Sequence, residues 1–251
     1  MPCIGAIFVK GCMFYMNYKL LDRCHLKIIA FITMAVDHFG LLFCKQDTML
    51  YEILRTVIGR IAFPMFCVLF VEGFLYTKKE HRLRHVLMLF IFAIVSEIPY
   101  DYCLVGNSLD FSKQNVMWTW LLGFVMLWLM DICDDLPGFN SIAIFFADVL
   151  ILCCITYVAV HIACDYSVCG LSCIWIAYYV KKYLSNIQWW IVCIFVCVIL
   201  TIGYGSYWCF LAVIPFILYN GQQGRKMKYL YYVGYPLHIV ILGCIARIFF
   251  S

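Results

Sequence analysis

The sequence predicts an all-α protein, a polytopic integral membrane bundle of about nine transmembrane helices with a cytoplasmic N-terminus. Three observations predict it. Apolar residues make up 66% of the 251 and charged residues 13%, against ~45–50% and ~25% in soluble domains. Mean hydropathy is +0.94. The apolar residues also fall into runs of roughly twenty, the length a helix needs to cross the hydrocarbon layer, parted by short polar connectors. A water-soluble domain of this size could not hide so much apolar surface. The same arithmetic excludes a disordered chain, a collagen-like chain and a secreted disulfide mini-domain.

Taken in order, residues 1–25 are interrupted by Lys10, Gly11, Asn17 and Lys19. They are too polar for a secretion-signal core and read as a short interfacial arm. Residues 26–251 then form one transmembrane domain. Span one, 26–44, carries Asp37 and His38. Span two, 51–76, carries Arg60, Pro64 and Glu72 and gives way to the polar run Thr77-Lys-Lys-Glu-His-Arg82. Span three, 83–104, closes on Ser96-Glu-Ile-Pro-Tyr-Asp101. Span four, 116–132, follows Asn115 and stops at an acidic turn, Asp134-Asp135-Leu-Pro-Gly138. Span five, 141–161, contains Asp148, which reads as an interhelical hydrogen-bond partner. Spans six to eight are 168–184, 188–204 and 207–220, with Asp165-Tyr166 just before the sixth. Span nine, 229–250, carries Pro236 and His238. No connector has the length of a second domain, and no internal repeat is present.

Charge orients the bundle. With the N-terminus inside, the cytoplasmic segments hold Lys10, Lys19, Arg23 and Lys27, then Lys78, Lys79, Arg82 and Arg84. Lys181, Lys182, Arg225, Lys226 and Lys228 follow, whereas Lys45, Arg55, Lys113 and Arg247 fall outside. This excess obeys the positive-inside rule. The net charge of +4 is therefore a topology signal and not a nucleic-acid footprint. The 16 cysteines lie mostly singly in apolar runs without zinc-ligand spacing, and act as small hydrophobes. No metal is called for, and His81 and His85, though four apart, lack a third ligand and read as a cytoplasmic basic cap.

A charge near the centre of a spanning helix costs roughly 2.5–3.5 kcal/mol on insertion scales, so each such group needs a partner or a watery cavity. Asp37 and His38 lie about eleven residues into span one, ~16 Å of rise and so near mid-bilayer. Arg60 is comparably deep from the other side, and His238 lies centrally in span nine. Glu97, Asp101, Asn115 and Asp165 gather toward the outer leaflet, with Glu72 in the cytoplasmic half. Together they describe a polar cavity widening outward. Arg60 is the candidate ion partner of Asp37, with a role on substrate phosphate as its alternative. A histidine at this depth beside an aspartate points to catalysis rather than to a lone core imidazole.

The string Leu26-Lys-Ile-Ile-Ala-Phe-Ile-Thr-Met-Ala-Val-Asp-His-Phe-Gly40 resembles the opening signature of the TraX family. The resemblance continues through Ile58-Gly-Arg-Ile-Ala-Phe-Pro-Met-Phe66, Val71-Glu-Gly-Phe74, Ser96-Glu-Ile-Pro-Tyr-Asp101, Asn115, Asp165-Tyr166 and Tyr235-Pro-Leu-His238. It spans 26–240, although 116–161 matches in hydropathy alone. It implies a multi-pass cell-membrane acetyltransferase that moves acetyl from cytoplasmic acetyl-CoA to an acceptor amine or hydroxyl. The acceptor would be a pilin-like or other peptide N-terminus, or a small polar molecule.

On that implication His38 is the general base or transient acetyl carrier, and Asp37 orients it or pairs with Arg60. Arg60, Lys78, Lys79 and Arg82 would meet the donor's phosphates. Glu72, Glu97, Asp101, Asn115, Asp165, Tyr235 and His238 would shape the acceptor vestibule. The partners expected are the lipid bilayer and the acceptor, with no nucleic acid; a homo-oligomer is compatible with the sequence. Three rivals stand beside this reading: an O-acyltransferase acting on a surface carbohydrate; a proton-coupled transporter, which would use the same intramembrane ionisable groups; and a structural or assembly protein whose polar groups merely lock helices together.

Overall fold

The computed structural model describes residues 20–106, 110, 112–138, 140–227 and 230–250. The expected interfacial arm therefore lies, up to residue 19, outside the described residues. Among the described residues there are nine helices and no strand. They are α1 (Arg23–Phe43), α2 (Met49–Leu75), α3 (Arg82–Tyr100), α4 (Val116–Asp134) and α5 (Ser141–His161). After these come α6 (Ser167–Tyr183), α7 (Trp189–Tyr204), α8 (Tyr207–Ile217) and α9 (Leu230–Phe250). The nine apolar runs read from the sequence are these nine helices, with ends shifted by a few residues. Six of them, all but α6, α7 and α8, are long and apolar enough to cross a membrane.

Local chemistry sets the boundaries. Side-chain oxygens of Asp22, Asn115 and Asn140 cap α1, α4 and α5 by accepting backbone N–H bonds from His25, Met117 and Ala143. Each cap satisfies an amide that the first turn leaves unpaired. Gly205, at φ 65°, ends α7 in the left-handed conformation. Pro64 cannot donate to the Arg60 carbonyl one turn back. Just before it α2 departs from α geometry, with a wide π stretch over Ile53–Ile58 and a tight 3₁₀ turn over Gly59–Ile61. Pro99 similarly precedes a π turn over Asp101–Val105 that extends α3.

The core is built around α2, α4 and α6. The second half of α2 buries Phe63, Met65, Val68, Leu69, Val71 and Phe74 and packs on α1, α6 and α7. α3 lies between α4 and α9, and α9 returns to α1, which closes the bundle. α5 sits outside: of its 21 residues only Asp148 and Ala159 are buried, so its apolar surface faces outward as a lipid-facing helix must. Asp148 accepts from the Tyr179 hydroxyl at 2.7 Å, the interhelical bond expected of it. The described cysteines are free thiols, and Cys67, Cys173, Cys193 and Cys197 pack in the core.

Candidate functional site

Chain order puts the starts of α1 and α3 at one end of the bundle, the Arg23 end, together with the close of α2. The starts of α4 and α6 and the close of α7 lie at the other, the Asp165 end. A cavity of about 530 Å³ opens at the Asp165 end. Asp37, His38, Arg60, Asp165 and Tyr235, all expected at the site from sequence, line it. Arg55, Lys113, Tyr100, Tyr166 and Tyr204 line it as well.

The innermost feature is a histidine pair across α1 and α9. His38 Nδ1 lies 2.6 Å from His238 Nε2, with the two rings within 10° of parallel. His238 Nδ1 lies 2.9 Å from the Gly234 carbonyl. A carbonyl can only accept, so His238 Nδ1 carries a proton. In a neutral pair His238 Nε2 is then bare and must accept from His38 Nδ1–H. That leaves His38 Nε2 unprotonated, a lone pair held ready. These protons are assigned from the hydrogen-bond chain. Phe31, edge-on to His238 at 5.4 Å, fixes the second ring.

The ion pair of Asp37 differs from the sequence expectation. Its partner is Arg55, with Nε 3.5 Å from the carboxylate, and not Arg60. The reason lies in α2. Arg55 and Gly59 are four residues apart and share a face, and Gly59 is where α2 meets α1. A Cβ built there would stand 2.8 Å from Asp37 Cβ and Cγ, so only glycine lets the helices approach this closely. Arg60, one residue on, turns into the cavity, and its Nε is buried without a hydrogen-bond partner.

Asp165 and Tyr166 come from a strained turn. Ala163, Tyr166 and Ser167 have φ of 53°, 59° and 24°, in the region that L residues avoid. Such strain persists only where surroundings over-determine it. Here Gln114 N donates to Ala163 O at 3.0 Å and Asp165 N to Gln114 O at 2.9 Å. Thr119 donates to Asp165 O, and Tyr166 stacks on Phe63 at 3.6 Å. The turn presents the Asp165 carboxyl to the cavity, enclosed by protein yet with an exposed face. Burial raises its pKa to about 6; the Tyr166 N–H opposes the shift, the Asp37 charge adds to it, and Arg60 and Lys113 lower it.

The other expected site residues lie elsewhere. Glu72 forms an ion pair with Arg23 at 3.0 Å and accepts from Tyr219 at 2.7 Å, at the Arg23 end, far from the vestibule expected for it. Glu97 accepts from the Asn115 amide and the Trp118 indole, and Asn115 caps α4. Asp101 accepts from Asp110 N. These three hold the wall together and do not face the cavity. Arg82 and Lys79, expected on donor phosphate, sit at the Arg23 end in ion pairs with Asp131, and Lys79 also pairs with Asp135. Lys78 lies beside them, paired with Glu80 at 3.9 Å. His238 belongs to the histidine pair rather than to the acceptor wall. His85 is not a solvated cap: it turns inward, 3.0 Å from the Tyr232 hydroxyl.

Sequence reasoning missed Arg55, Lys113, Tyr100 and Tyr204. Only Arg55 carried a signal, its four-residue spacing from Gly59. Among the described residues no group of three or more His, Cys, Asp or Glu is placed to hold a metal ion.

A probable fimbrial assembly protein of Dichelobacter nodosus, FimC of serogroup H1, is 24% identical over 246 residues, covering 89% of this chain and 95% of that protein. No solved structure matches. The TraX protein family matches residues 22–246, from the cap of α1 to the last turns of α9 and so across every helix that builds the cavity; the chain belongs to the TraX family.

Proposed function

We propose that the protein is a membrane-embedded acetyltransferase. It takes acetyl from acetyl-CoA at the cation-rich Arg23 end and delivers it to an amine presented at the Asp165 end. One observation carries the reading: the chain from the Gly234 carbonyl through His238 to His38, which leaves a bare imidazole nitrogen in a polar cavity. The acceptor nitrogen attacks the thioester carbonyl carbon, and its proton passes to His38 Nε2. The C–S bond then breaks, and the same proton neutralises the departing thiolate. Arg60, with an unpartnered guanidinium nitrogen, stands ready for the negative charge that develops on the carbonyl oxygen. Asp165 and the tyrosines around it suit a cationic amine before it loses its proton. The fimbrial assembly relative makes a fimbrial-subunit amine the acceptor class of choice.

The test is transfer of radiolabelled acetyl from acetyl-CoA into proteins of membranes that contain the chain. His38→Gln, similar in size but unable to take the proton, should fold and lose ~10²–10⁴-fold in transfer, the range for a lost general base. Full transfer by a folded His38→Gln protein would refute the assignment.

A further inference from the structure

A second, apolar cavity of about 110 Å³ continues from the first toward the Arg23 end. The two share Met34, Phe66, Val116 and Tyr235 as walls. Below that shared level the slot runs down between α1, α2, α3, α4 and α9 to Phe70, Leu89 and Tyr232. His38 is fifteen residues beyond Arg23 along α1, about 22 Å of rise, and the level of Phe70 and Leu89 is only about 8–10 Å in from the same end. Cavity and slot together therefore lead from the Asp165 end past the histidine pair almost to the opposite face. His85, bonded to Tyr232, closes the last stretch. Beyond it come Arg82, Lys79 and Lys78.

Resting on the acetyltransferase reading, we infer that this slot holds the linear thioester arm of the acetyl donor. The arm enters from the Arg23 end, with the acetyl group at His38 and the phosphates left among the basic residues outside. A space of about 110 Å³ is narrow, suited to a thin chain rather than a bulky group. The chemistry agrees: among the lining residues only Trp120, Tyr232 and Tyr235 carry polar side-chain atoms. A chain of methylenes broken by a few amides finds apolar walls and those few hydrogen-bond partners there, which a buried amide requires. The bulky, charged nucleotide cannot enter. This arrangement lets donor and acceptor arrive from opposite ends and meet at one nitrogen. Opening the slot requires the His85–Tyr232 bond to part.

The experiment compares acetyl-CoA with adenosine 3′,5′-bisphosphate, which lacks the arm, in equilibrium binding to the purified full chain in lipid nanodiscs. Each buried methylene contributes about fourfold, so a threaded arm makes acetyl-CoA bind at least ~30-fold tighter than the nucleotide. Leu89→Trp fills the slot and collapses that gap to near unity; Leu89→Phe narrows it partly, and decides the matter alone should the tryptophan variant not fold. A folded Leu89→Trp protein that keeps the whole gap overturns the inference, as would a lipid tail occupying the slot, since the gap would then ignore Leu89. In that event His38-dependent transfer leaves the acetyltransferase reading standing. No acetyl-CoA binding by the unaltered protein overturns both.

Discussion

His238 touches no substrate in the scheme above, so its part as a positioning residue can be tested apart from that of His38. Replacing it by leucine removes the acceptor for the His38 Nδ1 proton, which now donates across 2.6 Å. That donor would then sit inside the bundle without a partner, at a cost of about 1–3 kcal/mol. His38 can recover part of this by moving its proton to Nε2, which faces the cavity and finds water there. But Nε2 is the nitrogen that must be bare. A hydrogen bond contributes about 0.5–1.5 kcal/mol net, so its loss shifts the tautomer balance by up to about tenfold. Loss of ring orientation adds to this, and a drop of about 10–100-fold in transfer is expected, the usual effect of removing an imidazole's outer partner. His238→Gln should behave differently. Its carboxamide oxygen accepts from His38 Nδ1, which keeps the productive tautomer, and transfer should return to within about tenfold of wild type. The assay is acetyl incorporation under single-turnover conditions, with thermal unfolding in detergent as the check on folding. Leucine at wild-type rate, or glutamine as damaged as leucine in folded proteins, would refute the tautomer argument.

Three further outcomes follow from the site. Arg55→Ala should lower stability by about 1–3 kcal/mol, between the surface and buried ranges because the pair with Asp37 is about one-fifth exposed; adding Asp37→Asn should restore the melting temperature, whereas Asp37→Asn combined with Arg60→Met should not. Gly59→Ala pushes a methyl group against Asp37 and should cost about 1–3 kcal/mol by overpacking, read as a lower melting temperature together with reduced transfer. The Asp165 carboxyl, raised to about 6 by burial, is ionised only above that pH; it supplies counter-charge to a cationic acceptor at neutral pH and loses it as pH falls through about 6, so the pH profile of transfer should carry a limb there that Asp165→Asn removes.

Much of this was legible in the chain, because a bilayer leaves few choices. Length and apolarity fixed all nine helices to within a few residues, and the cost of burying charge singled out Asp37, His38, Arg60 and His238. What stayed hidden was pairing. His38 and His238 are 200 residues apart, and no periodicity says that α9 returns to α1. Arg60 looked like the partner of Asp37 by depth alone; Arg55 shares a face with Gly59, which meets Asp37, and takes that place instead. Glu97, Asp101 and Asn115 were grouped with the cavity by depth alone, yet depth does not tell which face of a helix a residue occupies. Their hydrogen bonds to backbone amides and an indole place them in the wall.

The residues displaced from the expected vestibule explain how the site keeps its geometry. α1 and α2 are held together at both ends by ion pairs. Arg23 meets Glu72 at 3.0 Å at one end, and Arg55 meets Asp37 at 3.5 Å near the other. At the second pair the Gly59 contact with Asp37 holds the two helices close. The lower pair is the more deeply buried, with side chains 9% and 2% exposed, and Tyr219, just after α8, donates a further bond to Glu72. A buried pair of this kind adds little net stability compared with apolar packing, but breaking it is costly, so it enforces register more than it strengthens the fold. Register is what His38 needs. A shift of α1 by one residue, ~1.5 Å of rise and ~100° of rotation, would swing its imidazole away from His238 and the cavity together. Glu72 thus acts on the site from the opposite end of the same helix pair, without a place in the cavity.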